Sequence, residues 1–117
     1  MNVQEQINTL VRVALGKEPA DLVITNGNLV NVYSGEVLEG YSISIKEDKI
    51  AFVGIDASHT IGEETKVIDA QGKFLVPGFI DAHFHFTDVA PDEFIKHSAS
   101  TGTTTIFVEL DLGFVLG

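Results

Sequence analysis

Apolar residues near the start of the chain repeat with the period of an α-helix. Between residues 2 and 16 they recur every three or four positions, which places them on one stripe of a predicted helix. The stripe consists of Val3, Ile7, Leu10, Val11, Ala14 and Leu15. Asn2 with Glu5 three residues later resembles a capping box, and Gly16 predicts the C-terminal end of the helix. We expect the stripe to pack on a core; binding of a partner by the same stripe is the alternative.

From Asp21 to Val76 the pattern changes to a period of two, broken by short polar turns. This alternation predicts a series of short strands. They cover residues 21–25, 28–33, 41–46, 50–54, 65–70 and 73–76. Asn26-Gly27, between the first two runs, is a strong signal for a two-residue hairpin. Turn signals at this density favour a small antiparallel sheet or sandwich over βαβ units.

The pattern changes once more at Pro77-Gly78, where an α/β segment is predicted to begin. An apolar run over residues 79–86 is followed by a predicted helix over 92–100, which Pro91 opens, and by a β-branched strand over 103–110. Strand, helix and strand within about thirty residues form one βαβ unit with parallel strands. One unit cannot cover both faces of a parallel sheet, and a closed α/β barrel needs about 250 residues. We therefore expect a truncated barrel.

The predicted fold is mixed α/β and has two parts. Residues 1–76 form an N-terminal helix and a small β-sandwich-like module, and residues 77–117 form the first βαβ unit of an incomplete (β/α)8 TIM-type barrel. A chain of 117 residues is long enough to bury a real core. Its composition, with 44% hydrophobic and 21% charged residues, excludes intrinsic disorder and a collagen-like fibre.

The charge balance excludes several classes of partner. Lys plus Arg number 7 and Asp plus Glu number 17, so the formal net charge is −10 at pH 7. A surface this acidic repels phosphate backbones and anionic membranes, so we expect neither nucleic acid nor a membrane as a partner. The absence of cysteine excludes disulfides, Cys-based zinc sites and thiol nucleophiles. Since there is no signal-peptide pattern and no apolar run of about 20 residues, we expect a soluble, cytoplasmic protein.

The residues with the clearest chemistry lie on the predicted strand after Pro77-Gly78. Asp81, His83 and His85 alternate along it and therefore project from one face, with the two imidazoles about 6–7 Å apart along the strand. Such a pair can converge on one divalent cation, although two half-exposed strand histidines are the alternative. Asp81 would accept a ring N–H or help to fill a barrel interior. Phe84 points to the opposite face, where we expect it to pack under helices.

This strand resembles the first-strand signature of a known family. Residues 76–85, Val-Pro-Gly-Phe-Ile-Asp-Ala-His-Phe-His, are similar to that signature in the amidohydrolase superfamily. Further segments resemble the adenine deaminase branch of the superfamily, as does the helix that precedes the predicted sandwich. These segments are residues 15–24, 26–27, 31–32, 57–62 and 102–105.

The resemblance implies a metal-dependent hydrolase built on a (β/α)8 barrel, with a small sandwich formed from both chain ends. It implies that His83 and His85 bind a divalent metal ion, which would be manganese, iron or zinc. The implied reaction converts adenine and water to hypoxanthine and ammonia, with the metal supplying hydroxide at neutral pH. This chain would be an N-terminal portion that is inactive alone.

Two stretches depart from the adenine deaminase pattern. Phe86-Thr87-Asp88-Val89 stands where those enzymes usually have a hydrophobic residue, Glu and two Ser. Glu109-Leu110-Asp111-Leu112 stands in place of the usual Asp-Pro-His-Glu. Glu109 and Asp111 share a face at the end of the second barrel strand and are candidates to reach the metal. The catalytic acid/base group is expected beyond Gly117.

The other two histidines are predicted to be a surface or turn residue and a helix-face residue, not metal ligands. His59 falls in a loop between strands, and His97 lies in the middle of the second helix. Two alternatives to an adenine deaminase remain: a cyclic amidase of the dihydroorotase or hydantoinase type, and a non-catalytic, degenerate paralogue that acts as an interaction module. The expected substrate is a small purine or cyclic amide, and a homo-oligomer is a further possibility.

Overall fold

The computed structural model describes residues 2–85 and 92–108. Of Pro91 it describes the backbone alone. The chain divides into two compact units, Met1–Val76 and Pro77–Gly117. The first unit contains α1 (Val3–Ala14), β1 (Leu22–Asn31), β2 (Glu36–Lys46), β3 (Lys49–Gly54), a 3₁₀ turn (Ser58–Thr60), β4 (Lys66–Asp69) and β5 (Phe74–Leu75). The second contains β6 (Phe79–Phe84), α2 (Pro91–Ser100) and β7 (Thr103–Val108).

Helix α1 begins and ends where the sequence predicts. The Asn2 side chain accepts from the Glu5 backbone N–H at 2.8 Å, and the Asn2 backbone N–H donates to the Glu5 carboxylate at 2.9 Å. These two bonds confirm the capping box and satisfy two backbone donors that the first turn leaves open. At the other end Gly16 adopts a φ of 67°, the left-handed conformation that favours glycine.

The prediction that the apolar stripe of α1 faces the core is wrong. The buried residues of the helix are Thr9 and Val13. Four members of the stripe, Val3, Ile7, Val11 and Leu15, are exposed, and Leu10 and Ala14 are half-buried. The side chains around Val13 in the core are small, with Ala20 and Ala57 among them. Because small neighbours let the helix approach the sheet closely, two medium-sized side chains fill the space beneath it.

The first unit contains one mixed sheet. The strand order is β3-β2-β1-β4, with β5 also pairing with β1. β2 is antiparallel to β1 and β3, whereas β4 and β5 are parallel to β1. The expected antiparallel sheet is therefore wrong for the described residues, whereas the sandwich formed from both chain ends stays a prediction. The chain crosses from the β3 edge to the β4 edge through residues 55–65, and such a crossover brings β4 in parallel to β1.

The predicted hairpin at Asn26-Gly27 is also wrong, because β1 runs through both residues as one strand. Asn26 has a φ of 55°, and the register with β2 shifts on both sides of Gly27, which makes this point a bulge. β1 changes neighbour here, from β4 to β5. The Asn26 side chain donates to Asp69 at 3.1 Å, and its carbonyl accepts from the Gly72 N–H at 2.8 Å. Gly27 is required because a Cβ would overlap the side chain of Leu75.

The core of this unit lies between α1 and the sheet. Val13, Ala20, Val23 and Ala57 form it, with Ala51 and Phe52 packed at its edge. This unit also buries two hydroxyl groups, which are hydrogen-bonded. The Ser44 and Thr60 hydroxyl oxygens lie 2.7 Å apart, and the Thr60 hydroxyl donates to the carbonyl of Ala57 at 2.8 Å. Among the described residues no buried side-chain nitrogen or oxygen lacks a hydrogen-bond partner.

The second unit is a βαβ unit, as predicted. β6 and β7 pair in parallel and α2 connects them. The start of β6 is set by the Phe79 N–H, which donates to the carbonyl of Gly102 at 2.8 Å. Gly78 packs so tightly that a Cβ there would overlap Thr104. A closed barrel remains a prediction, since the described residues contain this one unit.

Neither helix in the described part of the chain is long and apolar enough to cross a membrane.

Candidate metal site

Strand β6 brings two histidines together at its C-terminal end. His83 lies in the strand and His85 follows directly after it. Their Nε2 atoms are 2.8 Å apart, and their rings lie 4.6 Å apart at 79°. Both side chains are exposed. The two imidazoles therefore converge on one point from one face of the strand, as strand alternation predicts.

The distance between the two nitrogens is close to what a shared cation requires. Two nitrogens bound to one tetrahedral zinc ion lie about 3.3 Å apart, given zinc–nitrogen bonds of about 2.0–2.1 Å. At 2.8 Å, one Nε2 donates a proton to the other, so a cation would replace that proton. A rotation that opens the gap by about 0.5 Å is enough to convert the hydrogen-bonded pair into two ligands.

Asp81 bonds to the backbone of its own strand, and its predicted place in a barrel interior stays a prediction. Its Oδ1 accepts from the backbone N–H of His83 at 3.1 Å, two residues further along the strand. The acceptor atom is thus bonded to the main chain instead of an imidazole ring. This bond helps to fix the backbone from which His83 projects, and Asp81 itself is half-buried.

Phe84 anchors the same strand from its other face. Its ring stacks on Phe94 of α2, with centroids 4.0 Å apart and ring planes at 28°. This contact matches the expected packing of Phe84 against a helix. The strand therefore carries polar ligand candidates on one face and an aromatic contact with α2 on the other.

No third candidate ligand joins the pair within residues 2–85 and 91–108, where no cluster of three His, Cys, Asp or Glu side chains occurs. The predicted candidates Glu109 and Asp111 lie outside the described residues, as does the segment from Phe86 to Ala90. Two imidazoles alone hold a divalent ion weakly, because most of its coordination sphere would be water.

His59 has a structural contact that the sequence did not reveal. Its Nε2 lies 3.1 Å from the carbonyl of Ala14 at the end of α1, and its ring packs edge-on against Phe52 at 4.7 Å. Since a carbonyl only accepts, this nitrogen carries the proton. Beside it, the Ser58 N–H donates to Asp56 at 2.8 Å and holds the pKa of that carboxyl below its usual value, with a smaller effect from His59.

His97 lies on the exposed side of α2, as predicted. Its carbonyl accepts from the Ser100 hydroxyl at 2.7 Å near the end of the helix. Neither His59 nor His97 belongs to the pair on β6.

The fold of the chain is similar to parts of solved protein structures. No protein-family model matches it. Its fold resembles a prolidase complexed with N-methylphosphonate-L-proline, at a TM-score of 0.60, with 23% identity over 74% of this chain and 25% of that one. A putative prolidase from Bifidobacterium longum matches at a TM-score of 0.57, also with 23% identity over 74% of this chain and 23% of that one. The chain therefore shares its fold with about a quarter of each of these two proteins.

Sequence comparison identifies the branch. The chain is 52% identical over 102 residues to adenine deaminase 3 of Rhizobium meliloti, which covers 86% of this chain and 17% of that protein. It is 44% identical to the adenine deaminase of Cenarchaeum symbiosum over 117 residues, which covers 98% of this chain and 19% of that protein. The chain is therefore adenine deaminase-like, which confirms the predicted resemblance. It spans about a fifth of the length of these curated relatives.

Proposed function

We propose that the chain contributes to a metal-dependent hydrolase that deaminates adenine, converting adenine and water to hypoxanthine and ammonia. The observation that carries the proposal is the convergence of His83 and His85, 2.8 Å apart at Nε2, in a chain that is 41–52% identical to proteins named adenine deaminase. Those names favour a purine over a cyclic amide as the substrate.

The residues of β6 suit a divalent cation. His83 and His85 would hold manganese, iron or zinc through their Nε2 atoms, because imidazole nitrogen is a common ligand of such ions. When bound, the cation would lower the pKa of water and so supply the nucleophile at neutral pH. Asp81 would keep the backbone of His83 in place, and the contact of Phe84 with Phe94 would hold the strand against α2.

Deamination needs a further group that protonates the departing ammonia. We place this group beyond Gly117, in the remainder of a longer protein; Glu109 and Asp111 are the alternative within the chain. Two imidazoles without this group would not suffice. We therefore expect the 117-residue chain alone to release no ammonia from adenine.

Metal binding tests the first step of the proposal. A longer protein that carries this chain is dialysed against zinc or manganese, and the bound metal is measured for the wild type, His83→Ala, His85→Ala and the double variant. His97→Ala is the matched control, because His97 is an exposed histidine on α2. We expect the double variant to lose the bound metal and the control to keep it. Equal metal content in the double variant and the wild type would rule out the site.

Ammonia release from adenine tests the second step. The metal-loaded chain is compared with a full-length adenine deaminase under the same conditions. Turnover by the chain at about 1 s⁻¹ or more, an ordinary enzymatic rate, would show that a complete site exists within 117 residues. If the chain binds no metal and a longer protein carrying it also fails to deaminate adenine, the non-catalytic interaction module is the better interpretation.

A further inference from the structure

The bulge of β1 contains the one Asn-Gly pair of the sequence, Asn26-Gly27. Such a pair is chemically reactive, because glycine has no side chain to shield its backbone nitrogen. When the Gly27 nitrogen attacks Cγ of Asn26, a C–N bond forms, the Cγ–Nδ2 bond breaks, and the side-chain nitrogen leaves as ammonia. Water then opens the five-membered imide at either of its carbonyls, which leaves aspartate or isoaspartate at position 26.

Hydrogen bonds of the folded sheet hold both reacting groups. The Asn26 side chain donates through Nδ2, the leaving nitrogen, to Oδ1 of Asp69 at 3.1 Å. The peptide that joins Asn26 to Gly27 is held as well: its carbonyl accepts from the Gly72 N–H at 2.8 Å, and Gly27 pairs with Tyr41 of β2. Ring closure turns the side chain and this peptide toward each other, so these bonds must break first.

Burial and charge at the bulge also oppose the reaction. Asn26 is exposed, but Gly27 is buried, and a Cβ on it would overlap the Leu75 side chain. The Gly27 nitrogen must lose its proton in order to attack, and a buried position disfavours the negative charge that develops. The carboxylate of Asp69, which lies 3.1 Å from Nδ2, disfavours the same charge by repulsion.

We propose that Asn26-Gly27 is a latent deamidation site, which the folded sheet keeps unreactive and which reacts when β1 leaves the sheet. The modification would then persist. Aspartate at position 26 has no N–H to donate to Asp69 and sets a second carboxylate beside it. Isoaspartate lengthens the main chain inside the bulge, where β1 changes neighbour from β4 to β5. Deamidation would therefore mark chains whose first unit has been open.

The rate of deamidation in the folded and unfolded chain tests the proposal. The purified chain is incubated at mildly alkaline pH in buffer and in urea, and conversion at Asn26 is followed by peptide mass spectrometry. Tyrosine fluorescence reports whether the first unit is folded, because both tyrosines lie in it. Asn28 and Asn31 of the same strand are internal references, since neither precedes a glycine. We expect the conversion to be at least about tenfold faster in urea. Equal rates in both solutions would overturn the proposal.

Substitution of Asp69 tests the contact with the leaving nitrogen. Asp69→Ala removes the acceptor of the Asn26 side chain, so conversion should be faster in buffer and unchanged in urea. Asp69→Asn retains an acceptor oxygen without the charge and should lie between Asp69→Ala and the wild type. Asp48→Ala is the matched control, because Asp48 is an exposed carboxylate in the turn between β2 and β3. If Asp69→Ala in buffer converts at the wild-type rate, the contact with Asp69 gives no protection.

The effect of the product is tested with Asn26→Asp. This variant should unfold at lower urea than the wild type, because it loses the bond to Asp69 and gains a like charge beside it. Asn31→Asp is the matched control: Oδ1 of Asn31 accepts from the Tyr33 N–H at 3.1 Å, and an aspartate oxygen can accept in the same way. Equal urea midpoints for Asn26→Asp and the wild type would contradict a lasting effect of deamidation on the first unit.

Discussion

The two units differ in how they are held together. The first has the buried apolar side chains, and these lie around β1: Val13, Ala20, Val23, Ala57 and Ala70. In the described part of the second unit the buried side chain is that of Ser98, while Phe79, Ile80, Ile95 and Phe107 are exposed. The candidate chemistry nevertheless lies in the second unit. The first unit is thus well packed, whereas the described part of the second unit is weakly packed and contains the two candidate metal ligands, His83 and His85.

Long-range hydrogen bonds explain part of this difference. In the first unit, β1 pairs with three other strands, and its bulge is held by Asp69 and Gly72, more than 40 residues further along the chain. In the described part of the second unit, β6 pairs with β7, and Phe84 stacks on Phe94 of α2. Two parallel strands and one helix bury little apolar surface on both faces. We therefore expect the first unit to unfold at higher denaturant than the second.

The largest effect is expected for Val23→Asp, which should break the first unit. Val23 is fully buried against α1, so an unpaired carboxylate there should cost about 4 kcal/mol or more of unfolding free energy. Both tyrosines, Tyr33 and Tyr41, lie in the first unit, so tyrosine fluorescence during urea unfolding reports on it. Val37→Asp, at a position of β2 that is 50% exposed, is the control and should cost about 0.5 kcal/mol or less. Similar losses for both would contradict the assigned core.

Phe84→Ala should act on the second unit alone. Because the ring is half-buried and stacked on Phe94, its loss should cost about 2 kcal/mol, less than the 3–5 kcal/mol of a fully buried Phe. Hydrogen exchange of β6 and β7 amides measures the effect, with Ile95→Ala on the exposed side of α2 as the control. An equal loss of protection in β1 would mean that the two units unfold as one.

Local signals in the sequence predicted most elements correctly. The capping box at Asn2 and Glu5 depends on residues three apart, so it could be identified without any tertiary information. The convergence of His83 and His85 follows in the same way from the alternation of side chains on one strand. A complete site needs ligands from several elements, and one strand cannot predict their positions.

The predictions were wrong where residues far apart in the sequence determine the local conformation or the buried face of an element. Asn-Gly suits any position with positive φ, and at Asn26 the choice between a hairpin and a bulge depends on Asp69 and Gly72. The stripe on α1 has the right period, but small side chains at Ala20 and Ala57 select the Val13 side for burial. Periodicity therefore predicts that a helix has an apolar face but does not identify which residues the core will cover.

A smaller effect is expected at His59, which links the end of α1 to the segment before β4. His59→Ala removes the bond to the Ala14 carbonyl and the contact with Phe52, and should cost about 1 kcal/mol in the first unit. His59→Gln retains an N–H donor and should recover part of the loss. The control is His97→Ala in the second unit, which should leave the tyrosine-monitored transition unchanged. If Gln and Ala cost the same, the hydrogen bond contributes nothing.

The smallest effect should come from the ion pair between Asp21 and Lys46, and it should depend on pH. The Lys46 ammonium donates to Asp21 at 2.8 Å and, with the Glu47 N–H, holds the pKa of Asp21 below 3.8; the same bond raises the pKa of Lys46 above 10.5. The stabilisation from Asp21 is therefore present above pH 3.8 and lost as the pH falls through its folded value, and that from Lys46 is lost only as the pH rises beyond 10.5.

Lys46→Met tests this dependence in the first unit. Since the Asp21 side chain is 52% exposed, we expect Lys46→Met to lower the free energy of unfolding by at most about 1 kcal/mol at pH 7. This difference from the wild type should become smaller in 1 M salt and at a pH low enough to protonate Asp21. Lys49→Met is the matched control, because Lys49 pairs with its exposed neighbour Asp48 in the turn between β2 and β3, and its loss should leave the unfolding midpoint unchanged. The opposite result is that the free energies of unfolding of Lys46→Met and the wild type differ by the same amount at low pH and at pH 7. That result would show that the lysine acts through its contact with the Pro19 carbonyl, since this acceptor does not titrate.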